Sequence, residues 1–389
     1  MKKLFLIFIL LPIISGCWGY RELNDLVIVT AFAVEEKDNN IHLTAQIMNV
    51  KKNQGQGQQA NQKFTIYESE GKTFYEALRK MTLQSPNKLY VSHVEVFIID
   101  EAVAKKGIKE YLDYPLRETE MRTDFKILIS KDSKASDILK TVDPIEAFSA
   151  KSIEVSLQSS SKYFGATKVI NFTSFLKDYV EEGIENVIDG VYLSGNNKSS
   201  QNTNDLEESK QQSLITLGSI GAMKKDKLLG WLTEEESYGY NFITDNISSV
   251  ILNLPCGTDK YIAVEILRSK GTLDTNYKDN KASGKVTINA IAQIGEVNCL
   301  IDLEDEKEVE KIKKDTEKHI KDIINKTIKN VQEKYDSDIF GFGRNLRKKD
   351  LKQWNKISKK WDYIFKNMDI KVDVSINLEN KGASTNTLK

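Results

Sequence analysis

Residues 304–335 restrict the possible folds more than any other stretch. Val309, Ile312, Thr316, Ile320, Ile323, Ile324, Thr327, Ile328, Val331 and Tyr335 recur at steps of three and four, which puts them on one stripe of an α-helix. At about 1.5 Å per residue such a helix extends roughly 45 Å, longer than one sheet is wide. An apolar stripe needs an apolar surface, and packing on the chain's own sheet is favoured over a docked partner helix. Candidate strands flank it at 248–254, 260–268, 285–295 and 297–303, with Gly295-Glu296 as a hairpin turn. After Gly341 and Gly343 a second helix from Lys349 carries Trp354, Ile357, Trp361 and Phe365, and the chain closes on a strand in which Ile370, Val372, Val374, Ile376 and Leu378 alternate with polar residues.

The first half mixes the same two periods. Leu26–Val34 is apolar on both faces, as in a strand inside a sheet, and Lys37-Asp38-Asn39-Asn40 turns it into a second strand from Ile41 to Val50. Residues 53–59, rich in Gln and Gly, are a loop tip before a strand at 63–67. Helices are predicted at 73–84, 101–112, 136–141 and 171–183, and strands at 94–99, 124–130 and 186–193. Pro115 predicts a helix break. Ser194 to Gln212 contains almost nothing apolar and is the best candidate boundary. Beyond it, 214–223 and 228–232 make a hairpin about Lys224-Lys225-Asp226-Lys227, and Thr233-Glu234-Glu235-Glu236 opens a helix with a cap and an acidic first turn. The expected class is α+β with mixed sheets packed with helices, in two to three domains. An N-terminal region would span 17–193, a polar linker or loop 194–212, a C-terminal domain with the long helix 213–380, and a polar tail 381–389.

Residues 1–16 belong to neither. Lys2 and Lys3, the apolar run Leu4–Ile14 and small Ser15-Gly16 have the layout of a secretory signal peptide. The apolar run, eleven residues long, rises only about 16 Å, against roughly 30 Å of hydrocarbon, so a retained span is disfavoured. Ile14-Ser15-Gly16-Cys17 resembles the lipobox of bacterial lipoproteins, in which cleavage falls between Gly16 and Cys17 and the Cys17 thiol carries a diacylglyceryl group. Two acyl chains hold a protein to a membrane where one is marginal.

Charge and chemistry narrow the function. The 56 basic and 56 acidic residues balance, and loss of Lys2 and Lys3 leaves 54 against 56, so nucleic acid is not an expected partner. Cys256 and Cys299 could pair in an exported domain, yet both lie beside predicted strands, where buried free thiols are common and favoured here. The three histidines, His42, His93 and His319, have no companion at metal-ligand spacing, and neither HExxH nor G-x-S-x-G occurs. Gly341-Phe342-Gly343 follows a helix and lacks a third glycine in register, which suits chain reversal better than phosphate binding. Asp336 and Asp338 lack the rest of a calcium loop. No catalytic, cofactor or metal residue is assigned, and the reading is a protein that binds or assembles.

Four stretches in order carry a resemblance. Cys17-Trp18-Gly19-Tyr20-Arg21-Glu22-Leu23-Asn24 looks like the mature start of the C subunits of bacterial spore germinant receptors, the Ger(x)C lipoproteins, with Gly19 where an aspartate is commoner. The strand His93–Ile99, Gly107-Ile108 and the Arg117–Arg122 segment resemble that family's N-terminal region. Residues 221–232 resemble the opening of its C-terminal domain, and Asp338-Ile339-Phe340-Gly341-Phe342-Gly343 with Trp354 and Trp361 its closing helices. The resemblance implies a lipid-anchored subunit on the outer face of the spore inner membrane, acting with a membrane-embedded A subunit and a permease-like B subunit to trigger germination. It also implies three α+β domains, so that 17–193 would hold two units. Arg117, Glu118, Glu120 and Arg122 are candidate partner contacts, with an intramolecular salt-bridge cluster the favoured reading of the four. The alternative function, a solute-binding lipoprotein of a nutrient transporter, would require two doubly wound α/β lobes.

Overall fold

The computed structural model describes residues 26–48, 64–85, 87–143, 145–146, 148–195 and 213–380. The Gly16-Cys17 cleavage and lipidation site, the 53–59 loop, Pro144 and the 381–389 tail lie outside them. The first sheet begins with β1 (Val27–Lys37) and β2 (Asn40–Met48), joined by Asp38 and Asn39, both at positive φ as a tight hairpin turn requires. β3 (Phe64–Gly71) follows, then α1 (Phe74–Lys80), the two-residue β4 (Leu89–Tyr90) and β5 (Val96–Asp100). Next come α2 (Glu101–Lys106), α3 (Lys109–Arg117), β6 (Lys126–Ser130), α4 (Ala135–Lys140), α5 (Ser149–Tyr163), α6 (Phe172–Val180) and β7 (Val187–Gly195). β8 (Ser213–Lys224) and β9 (Lys227–Trp231) complete the sheet.

Its order is β3-β2-β1-β5-β6-β7-β8-β9, with β4 beside β1. The central strands β1, β5, β6 and β7 are mutually parallel, so all four begin at one edge. β7 and β8 pair antiparallel from Gly195↔Ser213 to Val187↔Ala222, so the polar stretch 194–212 connects two neighbouring strands of one sheet. The sheet is continuous from β1 to β9.

The second sheet, β10-β11-β12-β13, is built from β10 (Val250–Gly257), β11 (Lys260–Lys278), β12 (Lys281–Val297) and β13 (Asp369–Asn380), with only β12 and β13 parallel. α7 (Glu234–Ile243) precedes it. α8 (Glu306–Asn330), with a π turn through Tyr335, then α9 (Phe342–Lys349), α10 (Leu351–Ile357) and α11 (Trp361–Lys366) come between β12 and β13. The molecule is thus mixed α/β in two domains, each a mixed sheet packed with helices. The two doubly wound lobes that a solute binder would need are not present among the described residues.

One face of the first sheet packs Ala31, Ile98, Leu128 and Val191 against Ile138, Leu139, Ile153 and Leu157 of α4 and α5. The other face, led by Phe32, Phe97 and Ile129, belongs to an apolar cluster that runs without a break into Val264, Val286 and Ile288 of the second sheet. The stripe on α8 is buried as expected at Ile312, Thr316, Ile320, Ile323, Ile324, Thr327 and Ile328. α7 is held at its start by a capping box, Thr233 accepting from Glu236 N and Glu236 from Thr233 N.

Four local expectations are corrected. The helix predicted over 101–112 breaks at Gly107, where φ is +136°, and Pro115 lies inside α3. No strand occupies 298–303, and β12 runs through Gly295-Glu296. The hairpin turn is Asp279-Asn280, both at positive φ, because β11 and β12 extend into a ribbon whose polar outer half hides its strand period. No periodicity announces α5, a serine-rich helix anchored chiefly by Ile153 and Leu157. Cys256 and Cys299 form a disulfide rather than two free thiols, with Cα atoms 6.3 Å apart. Pro255 pairs with Tyr261, and Asn298 N donates to Tyr261 O, so β11 brings together cysteines that are 43 residues apart in sequence.

Candidate interaction surface and the junction behind it

Chain entry fixes the geometry. Val27 N donates to Lys88 O at 3.3 Å, and Val27 pairs with Leu89, so the chain comes in beside β4, at the edge where the parallel strands begin. The segment 117–122 lies at that edge too, leading into β6. Each of its four charged residues finds a partner within the chain, three of them in ion pairs, as the salt-bridge reading expects, although the pairs lie side by side rather than joining the four to one another. Arg117 Nε bonds Asp113 Oδ2 at 2.8 Å one turn back, and Arg122 Nη2 bonds Asp124 at 2.6 Å. Glu118 accepts from the Tyr114 hydroxyl at 3.1 Å and from Glu120 N at 3.1 Å. Glu120 accepts from Lys88 Nζ at 2.8 Å, tying the segment to the point of chain entry. Arg117 and Arg122 stay about two-thirds exposed or more, so solvent screens these pairs and the guanidinium faces stay open.

Apolar surface adjoins the charges. Tyr75 stacks on Tyr114 with centroids 5.6 Å apart, Arg79 lies over Tyr75, and Leu83 and Leu116 project into solvent. Burial raises the Tyr114 hydroxyl well above the usual tyrosine range, and the Glu118 charge adds to it.

Behind this edge the two domains interlock. Asp338 is fully buried and accepts from Gly341 N (2.8 Å), Phe342 N (3.1 Å), Gly343 N (2.7 Å) and Trp361 Nε1 (2.9 Å). Burial pushes its carboxyl pKa up, and those donors pull it back. The Asp338-to-Gly343 run is therefore a carboxylate-centred turn that launches α9, with Gly341 at φ +86°. Gly183, just before β7, lies so close that a Cβ there would be 2.5 Å from Arg344 N. Arg344 N donates to Gly183 O at 2.6 Å, Arg344 Nη1 pairs with Asp178 at 3.1 Å, and Trp354 Nε1 donates to Glu182 at 2.8 Å.

A buried ionisable set also spans the junction. Asp189 on β7 accepts from Lys168 N through both oxygens (3.0 and 3.1 Å), and burial pushes its pKa up to about 8. Lys168 Nζ donates to the Tyr240 hydroxyl of α7 at 2.7 Å. Burial works against the Lys168 charge, but Tyr240, Asp178 and Asp189 outweigh it and hold its pKa above the usual value. Sequence reasoning singled out none of these three, because single polar residues in apolar runs give no periodic signal.

A cleft of about 660 Å³ opens beside the disulfide, lined by Lys260, Asp302, Asp305, Lys311 and Asp315 among others. Among the described residues no group of three or more His, Cys, Asp or Glu could hold a metal ion, and no helix is long and apolar enough to cross a membrane.

Comparison with known proteins bears on both domains. Residues 19–191 match the family model described as the spore germination protein N-terminal domain, and 219–382 match that described as spore germination B3/GerAC like, C-terminal. The chain is 27% identical to spore germination protein KC of Bacillus subtilis (strain 168) over 371 residues, covering 93% of this chain and 91% of that protein. It is 23% identical to spore germination protein GerQC of Bacillus cereus, covering 99% and 100%. The crystal structure of the GerBC protein superposes with a TM-score of 0.56 at 16% identity, covering 90% of this chain and 97% of that one, which establishes a shared fold. With both of its domains matched in order, this chain belongs to the GerAC-like spore germination protein C-subunit family.

Proposed function

We propose that this chain is the lipid-anchored, non-catalytic C subunit of a nutrient germinant receptor. Tethered through a diacylglyceryl group on Cys17, it acts by contact with a membrane-embedded A subunit and a permease-like B subunit at the outer face of the spore inner membrane. The observation that carries the reading is the ordered match of both domains to spore germination families on a chain that opens with a lipobox. A shared membrane raises the subunits' local concentration, so modest contacts suffice for assembly. Arg117, Glu118, Glu120 and Arg122, with Tyr75, Leu83 and Leu116 alongside, are the contact residues we assign.

Germination of spores lacking the chain tests the role. The expected outcome is loss of the nutrient response with a receptor-independent trigger still effective; failure of both routes would point to a general spore function instead. Spores carrying Cys17→Ala should release the protein from the membrane and respond weakly to nutrient, while the ectodomain keeps its fold by circular dichroism. Normal germination in that variant would remove anchoring as a requirement.

A further inference from the structure

The chain is neutral overall, yet its basic residues are not evenly spread. Residues 342–366 hold nine Lys and Arg against two Asp. Most of the stretch's ion pairs involve other residues than its exposed lysines. Arg344 pairs with Asp178 and Lys349 with Asp274, while Asp350 caps α10 and Asp362 pairs with Lys224. Lys348, Lys352, Lys356, Lys359, Lys360 and Lys366 are exposed and have no ionic partner among the described residues. Lys352, Lys356 and Lys359-Lys360 recur at steps of four and three, opposite the buried face made by Trp354, Ile357 and Trp361. Among them Leu351 and Tyr363 project outward, 55% and 73% exposed. An amphipathic surface of this make-up is that of an anionic interface binder.

Its position in the fold identifies the interface. Trp354 and Arg344 pack on Glu182 and Gly183, directly before β7, so α9 and α10 sit beyond the edge where the four parallel strands start. β1 starts at that same edge, three strand spacings or about 15 Å away. Cys17 precedes Leu26 by only nine residues, a reach of at most about 30 Å. A chain anchored at Cys17 therefore holds this edge close to the lipid.

We infer that the lysine face of α10 and α11, with Leu351 and Tyr363, docks on the anionic lipid headgroups of the membrane that holds the anchor, and so sets the orientation of the whole ectodomain. The inference rests on the anchor reading above. Charge complementarity and the short tether favour a lipid surface over an acidic protein partner.

The full lipidated chain, reconstituted on vesicles, tests it. A fluorophore on Asn355→Cys is read against a quencher carried on lipid headgroups, with Lys134→Cys, beyond the opposite end of β6, as the distal control. On vesicles of equal phosphatidylglycerol and phosphatidylcholine, the 355 probe should be quenched and the 134 probe should not. Replacing Lys352, Lys356, Lys359 and Lys360 with Gln should weaken the lipid engagement roughly tenfold or more, as should raising the salt severalfold. Equal quenching on pure phosphatidylcholine, quenching at 134 instead of 355, or no effect of the four substitutions would overturn the proposal. An unquenched 355 probe on anionic vesicles would overturn it in favour of a protein partner. Flotation with neutral vesicles reports the anchor separately, and a chain that fails to float can still be titrated with anionic vesicles at low salt to score the lysine face.

Discussion

Asp189 shows how one buried group can govern stability against pH. Its carboxyl titrates near 4 in an unfolded chain and at about 8 in the fold, so between those values the native state holds a proton that the unfolded state has lost. Unfolding then releases a proton, and stability falls as pH rises, with a slope approaching about 1.4 kcal/mol per pH unit. Asp189→Asn keeps an oxygen to accept from Lys168 N. It should flatten the fall in urea-denaturation free energy between roughly pH 5 and pH 8, and a variant as pH-dependent as the parent would reject this account. Arg117 and Arg122 lie at the other extreme, since their partners Asp113 and Asp124 are themselves exposed and their charges remain available to solvent. The two classes differ in legibility. The 117–122 segment announces itself by composition, whereas Asp189, Lys168 and Tyr240 matter only because the fold gathers residues far apart in sequence.

Helix contacts depend on similarly local fits. Gly239 of α7 faces α8 so closely that a Cβ would come 2.1 Å from Thr327 Oγ1, and neither helix backbone can give way without disturbing the buried stripe. Gly239→Ala should cost about 1–3 kcal/mol by overpacking. Adding Thr327→Ala should recover part of that loss, and denaturant titration of the double-mutant cycle measures the coupling. The disulfide acts on a longer loop. It closes 43 residues between the end of β10 and the segment after β12, and reduction should lower stability by about 2–4 kcal/mol, read as a drop in midpoint temperature with and without reductant. Elements with a strong single period, such as α8, β13 and the β1–β2 hairpin, are plain in the sequence. β11 and β12 are half hidden, because the outer part of the ribbon, Ser269 to Lys278, buries one face only sparsely and its residues are largely polar. The 43-residue loop conceals the disulfide in the same way, since pairing through β11 is a tertiary fact.

Across the molecule the polar stretch after β7 reads from composition as a border, yet the strands on either side of it are paired neighbours. The change of sheet comes later, between β9 and β10, where composition does not shift. Class and mixed sheets were legible because periods of two and 3.6 alternate along the whole chain. Topology was not, because strand order depends on which edges remain unpaired after local hairpins have formed. That chain entry at Val27, the 117–122 segment and the start of β7 share one edge is likewise visible only in the fold.

The turn around Asp338 has a mechanical consequence. Glu185 N donates to Asp338 O, Ser337 Oγ to Met223 O, and Lys224 Nζ to Asp336 O, so the turn is riveted to the ends of both β7 and β8 while its carboxylate grips the start of α9. A join fastened at so many points, with one apolar cluster running through it, has no hinge to bend. Lys349 Nζ on α9 reaches Asp274 Oδ1 and Asn276 Oδ1 near the tip of the β11–β12 ribbon, so that tip lies at the same end as α9, and the distant end of the second sheet is the one closed by Cys256 and Cys299. Under the tether proposed above, a small rotation at the end that holds α9 would become a larger sweep at the disulfide-closed end.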